Sequence, residues 1–183
     1  MIEIRIHGRG GQGAVVAAQV LAGALFREGR YVQSFPAFGM ERRGAPVAAY
    51  VRYDDKPIRL RCQIDAPDHV IVLDHHLIET GSPTSGLKKR GWIVVNWNIK
   101  ERPSEVPKGY RLAVVDAATI AAMNRLGSES IPIVNTAILG AFARATGLVT
   151  LESVLAAIRE SVPVKAAENV LAAKQAHDFT ETL

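Results

Sequence analysis

Two stretches hold the residues best suited to chemistry, Gly8-Arg9-Gly10-Gly11-Gln12-Gly13 and Glu41-Arg42-Arg43-Gly44. In the first, the spacing Gly8, Gly10, Gly13 matches G-x-G-x-x-G. Glycines there let the backbone approach an anion, and the helix that follows offers unpaired N–H groups and the positive end of its dipole. The same glycines could serve only a tight turn and close helix–strand packing. In the second stretch, two arginines between glycines could clamp a phosphate or carboxylate bidentately. They could also join Glu41 in an ion-pair network that fixes the loop or a subunit contact. The neighbouring Phe38, Met40 and Pro46 are interface residue types, which favours that second reading.

The dinucleotide-binding form of the glycine motif also needs an acid at the end of the second strand, to hold ribose hydroxyls. Tyr31-Val32-Gln33-Ser34-Phe35 has none, and Glu28 falls in the last turn of the preceding helix. A standard NAD site is therefore not expected. His75-His76 follow a strand ending in Asp74, on the edge where α/β sheets bind ligands. A metal there would need a third ligand from elsewhere, so an exposed loop with one packed histidine is the favoured reading and no metal site is expected. Cys62 alternates with arginines and is expected to pack as a small apolar residue. Asp74, Asn96 and Asp116 end strands, where each can be a turn-former or helix cap. No G-x-S-x-G elbow, Walker A motif, H-E-x-x-H or cysteine pair is present, so no catalytic residue is assigned.

These residues need elements to position them. Ile2, Ile4 and Ile6 alternate with polar residues as a strand, and Ala14 to Leu25 has helical apolar spacing. Strand, glycine turn and helix make the first half of a βαβ unit. Gly29 stops the helix, and Tyr31–Phe35 is a second strand. Val47–Tyr53 and Ile58–Cys62 read as two arms of a hairpin about Asp54–Pro57, so the sheet should be mixed. His69–Asp74, Trp92–Asn96 and Tyr110–Asp116 read as buried strands. Thr84–Arg90 reads as a short helix. Helices are expected at Ala117–Leu126, at Thr136–Ala145 capped by Asn135, from Thr150 to the break at Pro163, and at Lys165–Ala176. The sum is one α/β domain over residues 1–183. It is a three-layer α/β/α fold with a Rossmann-like start, a mixed sheet and C-terminal helices.

A chain of 183 residues with 48% hydrophobic content can bury one good core. Its net charge of +4, without Lys/Arg blocks, argues against a nucleic-acid arm. A mild positive balance suits an anionic small ligand or an acidic protein partner. A single cysteine excludes an in-chain disulfide and any four-cysteine zinc or iron–sulfur site. The free thiol, the absence of a signal-peptide pattern and the lack of a membrane-length apolar run point to a cytoplasmic protein without a membrane contact.

The order of the motifs carries a resemblance. Gly8-Arg9-Gly10-Gly11-Gln12-Gly13, then Phe38-Gly39-Met40-Glu41-Arg42-Arg43-Gly44-Ala45-Pro46-Val47, resembles the gamma subunit of 2-oxoacid:ferredoxin oxidoreductases, or the gamma domain of their single-chain forms. Asn135-Thr136-Ala137-Ile138-Leu139-Gly140-Ala141 and Lys165-Ala166-Ala167-Glu168-Asn169 extend the likeness over nearly the whole chain. Ala45-Pro46-Val47 with Asp55-Lys56-Pro57-Ile58-Arg59 looks most like the pyruvate and 2-oxoisovalerate branch. Phe38 departs from the tyrosine of many relatives.

The resemblance implies a subunit of an enzyme that oxidatively decarboxylates a 2-oxoacid with coenzyme A, giving acyl-CoA and carbon dioxide and reducing ferredoxin. It places thiamine diphosphate and iron–sulfur clusters on alpha, beta and delta-type partner subunits, with no cofactor bound by this chain alone. The chain itself would be a non-catalytic assembly subunit that helps to hold coenzyme A. Gly8 to Gly13 and Glu41 to Gly44 would be its ligand or interface residues. The competing readings are a stand-alone nucleotide-binding Rossmann-like protein and a purely structural subunit.

Overall fold

The computed structural model describes residues 1–37, 44–79, 83–98, 101–102, 104, 106, 108–128 and 131–183. The strands are β1 (Ile2–Arg9), β2 (Tyr31–Pro36), β3 (Pro46–Asp54), β4 (His69–Val72), β5 (Trp92–Asn96), β6 (Arg111–Val115) and β7 (Glu181–Thr182). The helices are α1 (Ala14–Arg27), α2 (His76–Glu79), α3 (Ala117–Met123), α4 (Ala137–Thr146), α5 (Leu151–Ser161) and α6 (Ala166–Phe179). Among the described residues the strands form one sheet in the order β2-β3-β1-β4-β5-β6-β7.

Strands β1, β4, β5 and β6 are parallel, while β3 runs antiparallel to both β1 and β2 and β7 antiparallel to β6. The α/β class and the mixed sheet agree with the sequence reading. The progress of the chain across the sheet reverses at β1. Helix α1 carries it one way to β2, and β4 resumes on the other side. Such a switch point leaves a crevice beyond the carboxyl ends of the two strands.

Alternation sets the two faces. Ile4, Ile6, Val51, Ile71, Val94 and Ala113 turn to one face, where α1, α3, α4, α5 and α6 bury the larger core around Phe142. Gly140 lets α4 and α6 touch, because a Cβ there would run into the Ala173 carbonyl. The opposite face has two parts. Under β4, β5 and β6 it is apolar, with Val70, Val72, Ile93, Val95, Leu112 and Val114 packed on Leu77, Ile78 and Leu87. Under β1 and β3 it is polar. There Arg52, fully buried, donates to Glu3 at 2.9 Å, Gln33 at 3.2 Å and the Cys62 carbonyl at 3.1 Å. Arg5 donates to His7 at 2.8 Å and to the carbonyls of Ile64, Pro83 and Ser85.

Several expected elements differ. Ile58–Cys62 is no hairpin arm. Both edges of β3 are already taken, by β1 and β2, so nothing is left for this segment to pair with. It lies instead across the polar face, held by Gln33 on the Ile58 carbonyl and Arg52 on the Cys62 carbonyl. Cys62 is therefore exposed rather than packed. Thr84–Arg90 is a pair of turns rather than a helix, since Gly86 takes φ +72° against the Asp65 carbonyl. Helix α3 stops at Met123, before Arg125 at φ +55°. The sheet is also completed late, by β7 after the last helix.

Candidate functional site

The glycine stretch leaves β1, and Gly44 leads into β3. Because β1 and β3 are antiparallel neighbours with Arg9 opposite Pro46, the two loops share one end of the sheet. The Gly10 N–H donates to the Ala45 carbonyl at 2.9 Å, and the Gly44 N–H donates to the Gly10 carbonyl at 3.2 Å. Gln12 turns back, its Oε1 accepting from the Arg9 N–H at 2.7 Å. Arg9 is spread between partners: its Nε meets Asp74 Oδ2 at 2.6 Å, and its Nη1 reaches the Gly44 carbonyl at 3.4 Å. Arg9, Gly10, Gly11, Gln12 and Gly44 line an open cavity of about 410 Å³ with Asp74, Asn96 and the apolar Ile131, Pro132 and Val134.

Gly8 and Gly13 have other duties. A Cβ on Gly8 would press on Leu73 at 3.0 Å. Gly13 caps α1 at φ +82°, and the Asn135 side chain lies over it. Asn135 covers the start of α1 instead of capping α4. Its Oδ1 accepts the Thr136 N–H at 2.9 Å, and the N-cap position belongs to Thr136. Glu41, Arg42 and Arg43 lie outside the described residues, as does Phe38.

The strand-end residues are structural ties. Asn96 donates to the Leu73 carbonyl at 3.0 Å and accepts from the Ala118 N–H at 3.1 Å, joining β4, β5 and α3. Asp116 caps α3 through the Thr119 N–H and hydroxyl at 2.9 and 2.7 Å. Glu28 accepts from the Thr150 N–H and hydroxyl, both at 2.8 Å, and so anchors the start of α5 rather than facing a ribose. Asp74, His75 and His76 bring possible ligand atoms within 4.8 Å of one another. The third ligand is thus the adjoining acid, but its Oδ2 serves Arg9 and its Oδ1 accepts the His76 N–H at 3.1 Å. A guanidinium at 2.6 Å opposes a metal cation there. His75 packs edge-on against Trp97 at 4.6 Å, and burial followed by the neighbouring His76 pushes its pKa down.

The site therefore holds a cation with a free amino group, since Arg9 Nη2 has no partner among the described residues. The Gly11 N–H likewise has no backbone partner there. These are donors for an anion, set beside an apolar wall. Sequence reasoning missed the Arg9–Asp74 pair, the placement of Asn135 and the Ile131–Val134 wall. Each needs a contact between segments distant in sequence, and no local spacing signals it.

The fold and this junction define an α/β domain with two loops joined at the switch point of its mixed sheet. The family model described as pyruvate ferredoxin/flavodoxin oxidoreductase matches residues 3–179, and the chain belongs to that family. It is 54% identical to the pyruvate/ketoisovalerate oxidoreductases common subunit gamma of Pyrococcus abyssi, over 99% of this chain and 98% of that one. It is 52% identical to pyruvate synthase subunit PorC of Methanocaldococcus jannaschii, over 97% and 96%. The crystal structure of the pyruvate oxidoreductase subunit PORC of Thermotoga maritima superposes with a TM-score of 0.80 at 34% identity, covering 99% of this chain and 97% of that one. The chain is thus the gamma subunit of a multi-subunit 2-oxoacid:ferredoxin oxidoreductase, not a stand-alone Rossmann-like protein. Among the described residues no helix is long and apolar enough to cross a membrane.

Proposed function

We propose that this gamma subunit serves a cytoplasmic oxidoreductase acting on pyruvate or a branched 2-oxoacid, and that its cavity beside Arg9 helps to hold coenzyme A. Alpha, beta and delta-type subunits would be its partners, carrying thiamine diphosphate and iron–sulfur clusters, with ferredoxin as electron acceptor. The substrate range follows the names of its relatives, which cover both pyruvate and ketoisovalerate. One observation carries the coenzyme A reading. The glycine loop and the Gly44 loop are stitched together at Gly10, leaving the Arg9 cation and the Gly11 N–H on the wall of one cavity. A polyanionic ligand with an apolar arm suits donors on one side and Ile131, Pro132 and Val134 on the other. The chain supplies binding and assembly, and the oxidative decarboxylation belongs to its partners.

The test starts with mild affinity co-purification from the native host, mass spectrometry and an absorbance spectrum. Thiamine-enzyme subunits and a brown chromophore are expected with the tagged chain. In the purified complex, Arg9→Ala should raise the KM for coenzyme A about ten-fold while leaving the KM for pyruvate unchanged. An unchanged coenzyme A KM in Arg9→Ala and in Arg42→Ala plus Arg43→Ala would leave the subunit with assembly alone.

A further inference from the structure

The outer edge of β2 is one of the two open ends of the sheet among the described residues. Strand β2 pairs only with β3 among the described residues. Its register continues to Ala37, whose N–H donates to the Ala48 carbonyl at 2.9 Å. Antiparallel pairing alternates, so Tyr31, Gln33 and Phe35 share the phase of Ala37 and turn their backbone groups to β3. Val32 and Ser34 then turn theirs outward, while Pro36 has no N–H and ends the open seam. Edge strands are normally guarded by a charge, a bulge or a covering segment. Tyr31-Val32-Gln33-Ser34-Phe35 carries no charge, and its six-residue register with β3 is unbroken.

Charge lies on the segment that crosses the adjoining polar face. The segment after β3 passes over Gln33, which holds the Ile58 carbonyl at 3.1 Å. It places Lys56, Arg59 and Arg61 at the surface, and none of them forms an ion pair among the described residues. An uncharged open edge, with three cations outside any described ion pair on the segment that starts over the polar face of the same strand, suits one kind of occupant. The geometry points to β2 as the docking seam for an extended, acidic segment of another subunit of the same oxidoreductase, added as an eighth strand. Main-chain bonds at Val32 and Ser34 would give the pairing, and carboxylates meeting Lys56, Arg59 and Arg61 would give its selectivity. This rests on the chain being an assembly subunit, and not on the coenzyme A reading.

Hydrogen exchange on the isolated chain and on the purified complex tests it. In the isolated chain the amides of Val32 and Ser34 should exchange fast, while those of Gln33 and Phe35 are protected. In the complex Val32 and Ser34 should become protected as well. Arg59→Glu plus Arg61→Glu, at exposed positions, should weaken assembly about ten-fold, with the loss shrinking in high salt because salt screens the lost attraction. Ser34→Pro, which removes one outward donor and leaves the β3 pairing, should weaken assembly without moving the Tm of the isolated chain by more than a few degrees. If Ser34→Pro fails to fold, the exchange pattern and the double arginine variant still decide. A wild-type complex in which Val32 and Ser34 stay unprotected, or a charge reversal without effect, overturns the proposal. So does concentration-dependent protection in the isolated chain, which would make the occupant a second copy. Failure of the wild-type chain to bring down any partner would instead strike at the subunit assignment.

Discussion

Asn135 sits where a side chain on Gly13 would have to be. A Cβ on Gly13 would stand 3.1 Å from Asn135 Cγ and closer still to its amide nitrogen, and Gly13 is at φ +82°. The motif that opens the chain and the segment before α4 are thus one packed unit, though more than a hundred residues apart. Gly13→Ala should cost about 3 kcal/mol, combining left-handed backbone strain with overpacking. Asn135→Ala in the same chain should recover the overpacking share and leave the backbone share. A double-mutant cycle by urea unfolding measures this; additive costs would mean that the contact is not the cause.

Two glycines inside helices should respond in opposite directions. Gly140→Ala forces a methyl into the Ala173 carbonyl and should push α4 and α6 apart, costing about 3 kcal/mol. In α1 the nearest atom to a Cβ on Gly23 is the Ala157 Cβ at 3.6 Å, an ordinary contact. Gly23→Ala should therefore stabilise the chain by about 0.5–1 kcal/mol through helix propensity. Thermal melts of the two variants should move to opposite sides of the wild type.

Asp74 is a positioning residue for Arg9. Asp74→Asn keeps an acceptor for the His76 N–H but exchanges a charge-assisted hold on Arg9 for a neutral one. In the assembled enzyme the KM for coenzyme A should rise about three-fold, with kcat and the KM for pyruvate unchanged. A parallel fall in kcat would show that the pair supports the architecture of the complex instead.

Acid should loosen the fold before it reaches the carboxylates. Burial, with the adjacent Arg5 cation second, lowers the His7 pKa to about 3, and burial first lowers that of His69 to about 4. His7 accepts from Arg5 and His69 Nδ1 accepts the Trp92 N–H at 3.1 Å, so both rings are neutral in the native chain. Unfolded histidines bind protons at about pH 6.5. Between that pH and the lowered native values the unfolded state therefore holds more protons, and stability falls as pH falls. At pH 5 the cost should be about 1–2 kcal/mol for each ring, and absent above pH 7. His7→Gln should flatten part of that slope in urea unfolding followed from pH 7.5 to 5.

Most of the strands were legible in the sequence because both signals were local. Alternation marked β1, and unbroken apolar runs marked β4, β5 and β6, covered on both faces. What could not be read depended on partners. Ile58–Cys62 alternates as well as any strand, yet β3 has no edge left for it. Two residues of β7 pair only because α6 delivers them to β6. The cavity followed the same rule: glycine spacing pointed to Gly10 and Gly11, but only the fold brings Asp74 to Arg9. Glu28, set aside from the sequence as a ribose ligand because it falls in a helix's last turn, is held by Thr150, a partner that only the fold supplies.

The arginine fastening of the polar face decides where this chain is free to vary. Arg5 and Arg52 grip the loops by main-chain carbonyls at Cys62, Ile64, Pro83 and Ser85, and a carbonyl is present whatever the residue. Drift in the side chains of those loops leaves the grip intact, while loss of either guanidinium releases a whole stretch at once. Gly86 is the exception, pinned by the Asp65 carbonyl against it. Saturation mutagenesis should accordingly show a tolerant covering held by two intolerant cations on the sheet beneath.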